Sequence, residues 1–415
     1  MNLLLLTRDY PFGLGESFIR DEIEQLCQSD FKFYLLPYSH QGKKRLLPDE
    51  LTLLEKVSYM SFIINLPSFF LKYGSIIFKD LFYELKSEKF KILLPSRFIF
   101  IFAYWVRSIQ LIIFLENKCH LDPKKTLYYS YWMNSESYGL SLFARKYPNK
   151  NLRFVSRVHG GDLYLERNKG YLPFRKIIFD SISSVFSISS AGKLYIDEIY
   201  GDQIAEKVFI SRLGVRKSLK CRPKDKKSSS TIKLVSCSSD LFIKRVGLIL
   251  EIMKELALRS EKQINWYHIG IKIDSFNQKY NISNDKISNL KIMPLGIVSN
   301  EDLIEKYKEI SPNIFINYSS TEGIPVSIME ALSCAIPVFA TDVGGNSEIV
   351  DSSVGRLVDP NLSIEDTVDE LIKLINDLDT EPLQRNAYLR WKEDYNAEKN
   401  YSQHARFLKS NLIKS

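Results

Sequence analysis

Cysteine is sparse and scattered in this 415-residue chain. The five (Cys27, Cys119, Cys221, Cys237 and Cys334) include no C-x-x-C pair and leave an odd thiol, which excludes a disulfide framework and argues against a zinc site. That usage suits a reducing cytosol. Histidine is equally scarce: His40, His120, His159, His268 and His404 do not cluster, and no H-E-x-x-H occurs. No Asp-x-Asp follows a strand-like run in a way that would hold a divalent ion with a diphosphate. No metal and no bound cofactor are therefore expected. The opening MNLLLLTRDYP has four leucines before Arg8 and Asp9, too short an apolar core for a signal peptide, and reads as a first buried strand. No internal repeat and no nucleic-acid motif is present, so nucleic acid is not an expected partner.

What is abundant points to an ordinary folded protein of two domains. A hydrophobic fraction of 45% and an aromatic fraction of 13% supply two cores at this length. The formal charge of +8 is uneven, with +7 in residues 1–200 and +1 in the remainder. An electropositive N-terminal half implies an anionic surface or ligand, such as phospholipid or a lipid diphosphate.

Strand-like apolar runs alternate with helical patterns in both halves, which predicts parallel sheets and an α/β class. Expected strands are 2–6, 31–36, 126–129, 153–158 and 184–188 in the first half. In the second they are 232–237, 265–269, 290–293, 313–318 and 337–340. The charged, Ser-rich stretch from Arg216 to Thr231 has the composition of a linker or exposed loop. The expected divisions are a first domain over 1–213, a linker over 214–231, a second domain over 232–390 and a terminal helical segment over 391–415. Within the first domain, 57–118 is unusual: apolar and aromatic runs are broken every few residues by Lys or Arg. No run reaches the roughly 18 uncharged residues of a membrane span. Two readings stay open, helices lying in a membrane interface or core helices whose lysines snorkel to solvent.

The stretch from Ser319 to Pro360 is the most informative. Glu322 and Glu330 stand eight residues apart, with Gly323, Ile324, Pro325 and Val326 between them. The pattern reads as a strand, a loop over 319–325 and a helix from Val326. This places the backbone N–H groups of Gly323, Ile324 and Val326 at a helix N-terminus, suited to an anionic or hydroxyl-rich ligand. Gly344-Gly345 and a further helix start follow the next strand. Three other places carry candidate chemistry. In the loop after the first strand, Gly13 and Gly15 precede Glu16 and Ser17; this is either an ordinary tight turn or a close backbone approach to a ligand. In SRVHGGDLYLER, His159 lies at a strand's carboxyl end, with Asp162 following two glycines. In LVSCSSDLFIKRVGLIL, Ser239, Lys244 and Arg245 follow the first strand of the second half.

The segment holding Glu322, Gly323, Pro325, Glu330, Gly344-Gly345 and Glu348-Ile349-Val350 resembles the E-x7-E region of retaining glycosyltransferases of family 4. The resemblance implies the GT-B fold: two Rossmann-like domains facing across a cleft, with a C-terminal helix crossing back to the N-terminal domain. It makes 1–213 the acceptor-binding domain and 232–390 the donor-binding domain. It gives Glu322 and the amides after it the donor sugar's hydroxyls, and Glu330 the ribose. Lys244 matches a lysine that grips the diphosphate, while Ser239 stands where an arginine is common; adjacent Arg245 is a possible partial substitute. His159 is expected near the donor sugar, with Asp162 and Glu16 orienting loops or the acceptor, and Gly13 and Gly15 near the phosphates. The GxGE loop resembles a branch that builds bacterial capsule, O-antigen or exopolysaccharide.

The expected activity is transfer of a hexosyl unit from a nucleotide diphosphate sugar, UDP rather than GDP, with no metal. The expected acceptor is a lipid-linked saccharide at the inner face of the cell membrane, reached through contact by 57–118. Competing readings are a nucleotide-sugar epimerase or glycan phosphorylase on the same fold, and a degenerate, non-catalytic scaffold. Glu322 is expected on an exposed loop, where its loss would spare the fold.

Overall fold

The computed structural model of the chain describes residues 1–13, 15–88, 94–216, 230–282, 287–378 and 382–413. The chain forms two compact units, Met1–Ser211 with Tyr401–Ser415, and Arg212–Asn400.

In the first unit the apolar runs become seven strands: β1 (Asn2–Thr7), β2 (Lys32–Pro37), β3 (Leu51–Leu53), β4 (Thr126–Ser130), β5 (Arg153–Val158), β6 (Ser184–Ser187) and β7 (Val208–Ile210). They form one sheet in the order β3-β2-β1-β4-β5-β6-β7, and every pair is parallel. Side chains alternate between faces of a strand, so the leucines of β1 feed two cores. Leu3 and Leu5 pack with Ile19, Ile23 and Leu26 of the helical segment that follows β1. Leu4 and Leu6 pack on the other face with residues of the long helices Tyr59–Ser87 and Pro95–Asn117.

Those two helices account for most of 57–118. Each is long and apolar enough to cross a membrane by length and composition. Yet the first turns Phe69, Tyr73, Ile77, Asp80 and Glu84 inward. Its acids are paired there: Asp80 accepts two bonds from Arg145 (2.6 and 2.8 Å) and one from Tyr138 (2.9 Å). Glu84 accepts the Tyr171 hydroxyl at 2.6 Å.

Among the described residues the second unit has six strands, β8 (Thr231–Cys237), β9 (Gln263–Ile269), β10 (Leu290–Pro294), β11 (Ile314–Asn317), β12 (Val338–Thr341) and β13 (Gly355–Val358). The sheet order is β10-β9-β8-β11-β12-β13, again all parallel. Each unit is thus a doubly wound sheet whose strand order reverses once, between β1 and β4 and between β8 and β11. Crossovers leave in opposite directions at such a point, so the loops at the strands' carboxyl ends part and open a crevice.

Two boundaries differ from the sequence expectations. The expected linker begins as packed structure: Val215 is buried, its carbonyl accepts the Trp391 indole N–H at 3.1 Å, and it bridges Asn396. Residues 217–229 of that linker lie outside the described residues. The terminal segment does not leave the second unit at 391, because Trp391 and Tyr395 are fully buried in it. The last helix, Ala397–Ile413, joins the first unit only from Tyr401. There His404 reaches Ser211 (2.9 Å) and Glu22 (3.3 Å), while Ala405 and Leu408 enter the core with Leu3 and Leu5. Glu22 also faces Arg157 at 3.3 Å and accepts the Tyr129 hydroxyl at 2.8 Å, so an ion pair is sealed inside this unit.

Candidate functional site

In the second unit two loops meet at the strand-order reversal. After β8 the chain makes a short 3-10 turn, Phe242–Lys244, and enters the helix Val246–Arg259 through Arg245, which adopts a left-handed conformation (φ 49°). After β11 it runs through the loop holding Glu322 into the helix Val326–Ser333. Because β8 and β11 are neighbours, these loops face each other, and Lys244 Nζ lies 2.6 Å from Glu322 Oε1. The same oxygen accepts Ser319 Oγ at 2.7 Å and Asn317 Nδ2 at 3.2 Å. Lys244 donates one bond here and carries three N–H donors, so among the described residues two remain for an anion. Among the described residues, no hydrogen bond from the amides of Gly323, Ile324 or Val326 is formed, and they sit at the positive end of the helix.

The loop after β12 backs this arrangement. Gly345 N–H donates to the Gly323 carbonyl at 2.8 Å, and Gly344 adopts φ 54°. A Cβ on Gly344 would lie 1.9 Å from the Glu322 carbonyl oxygen, so no larger residue fits. Glu322 is accordingly not on an exposed surface: it is 6% exposed, held by three donors and braced from behind. The expectation of an exposed loop is corrected by this burial.

The remaining donor-side candidates separate. Glu330 is buried in the helix Val326–Ser333, where its charge and, more strongly, burial push the Cys237 thiol up to about 12. Ser239 is exposed on the loop after β8. Arg245 does not stand in for the missing arginine, because its guanidinium turns to the carbonyl of Pro360 at 2.7 Å. The left-handed backbone at the helix start directs it there, away from Lys244.

In the first unit the loops after β1, β4 and β5 form a second cluster. Glu16 accepts the amides of Asp9 and Tyr10 at 2.7 Å and of Arg8 at 3.2 Å, and the Trp132 indole N–H as well. It therefore ties the loop after β1 to the one after β4. Gly13 makes its close approach to the chain itself: a Cβ on facing Gly42 would sit 2.7 Å from Gly13 Cα. Arg45 holds the carbonyls of Gly13 and Gly15 at 2.8 and 3.1 Å. This packing, with φ 65° at Gly13, already calls for glycine at 13 and 42, whatever ligand the loop meets.

His159 caps the short helix Gly160–Leu163. Its ring lies 4.3 Å from that of Trp132 and 5.0 Å from that of Tyr131, and neither ring nitrogen has a hydrogen-bond partner among the described residues. Burial, then the Arg157 charge, holds the imidazole well below its usual pKa, so it is neutral. Asp162 Oδ1 accepts the His159 amide at 2.6 Å, and its Oδ2 accepts the Met133 amide at 2.7 Å. Burial raises its pKa to about 6. Asp162 thus joins the loops after β4 and β5.

Sequence reasoning passed over Trp132, Asn317, Ser319 and Arg175. The first three follow or end strands at carboxyl ends, which is a usable signal. Arg175 lies in a helix, and only the fold brings it to the carbonyls of Met133 and Asp162. Among the described residues no three His, Cys, Asp or Glu side chains gather as metal ligands.

Residues 220–390 match the family described as Glycosyl transferases group 1. The match covers less than half of the chain. The matched segment contains Lys244, Glu322 and Glu330 and ends before the last helix. Sucrose synthase of Denitrovibrio acetiphilus is 32% identical over 97 residues, 22% of this chain and 12% of that protein. The matched stretch is therefore a small part of that relative. HepE of Anabaena, solved in complex with UDP, aligns with a TM-score of 0.61 at 14% identity, over 99% of this chain and 100% of its own. The lipopolysaccharide outer core galactosyltransferase WaaB, in its apo form, gives 0.64 at 16% identity, over 99% and 100%. At such identities the likeness is one of fold: two parallel-sheet Rossmann-like domains of the GT-B type.

Proposed function

We propose that the protein is a retaining, family 4 hexosyltransferase that takes its sugar from a nucleotide diphosphate donor. The observation that carries this reading is the Lys244–Glu322 pair at the strand-order reversal of the group 1 segment. Lys244 and the helix-end amides supply positive charge for a departing diphosphate without a metal. Glu322 accepts donor-sugar hydroxyls, and Glu330 takes the ribose. In the transfer step the acceptor oxygen bonds to the anomeric carbon as the bond to the diphosphate oxygen breaks. The acceptor proton passes to the leaving phosphate on the same face. Neutral His159, with two unpartnered ring nitrogens, is suited to the sugar. UDP is favoured as carrier because HepE was solved with UDP.

The acceptor is proposed to be a lipid-linked saccharide in capsule, O-antigen or exopolysaccharide assembly. The likeness to a lipopolysaccharide transferase and the apolar, basic helices of 57–118 support it. The protein then works in the cytoplasm, against the inner face of the membrane. One observation favours the degenerate-scaffold alternative: Ser239 lacks a cation and Arg245 is turned away. A thermal-shift panel with UDP, GDP, ADP and CMP, with and without magnesium, separates the two. Selective, magnesium-independent stabilisation by UDP is expected; no shift with any nucleotide at millimolar concentration would favour the scaffold.

A further inference from the structure

We propose that the helices Tyr59–Ser87 and Pro95–Asn117 form an in-plane anchor that seats the first unit on an anionic bilayer. This deepens the proposed function and rests on its membrane-borne acceptor. Met60, Ile64, Leu71, Phe78 and Phe82 are all exposed. Their spacing places them along one face of the helix for about 33 Å, and Phe102 of the second helix is exposed too. A soluble monomer rarely leaves so long an apolar stripe uncovered.

Charge decides what covers it. The acids of both helices turn inward: Asp80 to Arg145 and Tyr138, Glu84 to Tyr171, and Glu116 to Lys72, Tyr73 and Tyr147. Lys79 and Lys86 point outward, with no acid partner among the described residues. An apolar stripe flanked by unpaired lysines complements anionic headgroups, whereas a second copy would bring like charges together. A bilayer crossing is opposed by the helix's other face. Phe69, Tyr73 and Ile77 are buried in the first unit's core, and the Asp80–Arg145 pair sits in the same helix. Crossing would strip that packing away and place the ion pair in hydrocarbon.

The test is co-sedimentation of the full chain with vesicles, with no nucleotide present. Binding to phosphatidylcholine–phosphatidylglycerol vesicles is expected, with far less to phosphatidylcholine alone. Phe78→Ser with Phe82→Ser should weaken binding at least about tenfold. Lys79→Gln and Lys86→Gln should each weaken it about fivefold on anionic vesicles only. Circular dichroism melts should match wild type, since all four side chains are exposed. Salt near about 1 M should release the lysine-dependent part. Failure of wild type to bind anionic vesicles, or a dimer in light scattering that the Phe variants dissolve, overturns the proposal. Resistance to alkaline carbonate overturns it in favour of crossing. A nucleotide shift without vesicle binding sinks only this inference; vesicle binding without a nucleotide shift sinks only the transferase reading.

Discussion

Replacing Glu322 tests whether the carboxylate is a structural clamp as well as a ligand group. In Glu322→Ala, Lys244, Ser319 and Asn317 lose their shared acceptor, and an ammonium with a 21% exposed side chain loses its counter-charge. Breaking a fully buried pair costs about 3–5 kcal/mol; the partial exposure of Lys244 lowers the expectation to about 3 kcal/mol. For a unit of this size that is a fall in Tm of roughly 6–12 °C. Glu322→Gln keeps an acceptor oxygen and loses the charge, so about 1.5 kcal/mol is expected. The assay is thermal and urea unfolding of both variants, of Lys244→Met, and of the Glu322→Ala/Lys244→Met double variant. A coupling energy of about 1.5–3 kcal/mol between the two positions is expected. Transfer activity should vanish in both Glu322 variants, and Glu322→Gln is the cleaner probe because it stays folded. If Glu322→Ala melts within about 1 °C of wild type, the clamp is wrong.

Further outcomes follow from the same packing. Gly344→Ala places a methyl group against the Glu322 carbonyl at a left-handed position, so urea unfolding should show a loss of about 3–5 kcal/mol. Burial raises the Glu84 carboxyl from 4.5 to about 7. The folded state therefore binds its proton more tightly, and the group's stabilising contribution is full below pH 4.5 and lost as pH rises through 7. Glu84→Gln, which keeps an acceptor for Tyr171, should flatten the decline in stability between about pH 5 and 8 by up to about 3 kcal/mol, read from urea melts. Glu22→Ala leaves Arg157 charged and unpaired in the first core and should cost about 3–5 kcal/mol by the same measurement.

How much of this was legible in the sequence depends on whether a residue's role is local. Ten strands were readable because buried parallel strands are continuous apolar runs, as in Leu3 to Leu6. The three unread ones, β3, β7 and β13, are three or four residues long at sheet edges, where a short run carries little pattern. Glu322 and Lys244 were found from their places after strands together with the resemblance to family 4 glycosyltransferases. Their contact was not, since it depends on β8 and β11 lying side by side. The bond from Trp132 to Glu16 and the self-packing of Gly13 against Gly42 need contacts far apart in sequence. Trp391 and Tyr395 fall in the expected terminal helical segment, but nothing in the sequence there says which unit buries them.

The last helix has a consequence for how the chain is made. The first unit's core contains Leu3 and Leu5 together with Ala405 and Leu408, and its sealed Glu22 carboxylate is met by His404. A ribosome therefore finishes the second unit, Arg212–Asn400, before it delivers what the first unit still lacks. At about 5–20 residues per second the interval is roughly 10–40 s. During it the first unit waits with an open apolar seam and a half-met acid, so the domain begun first is the one completed last.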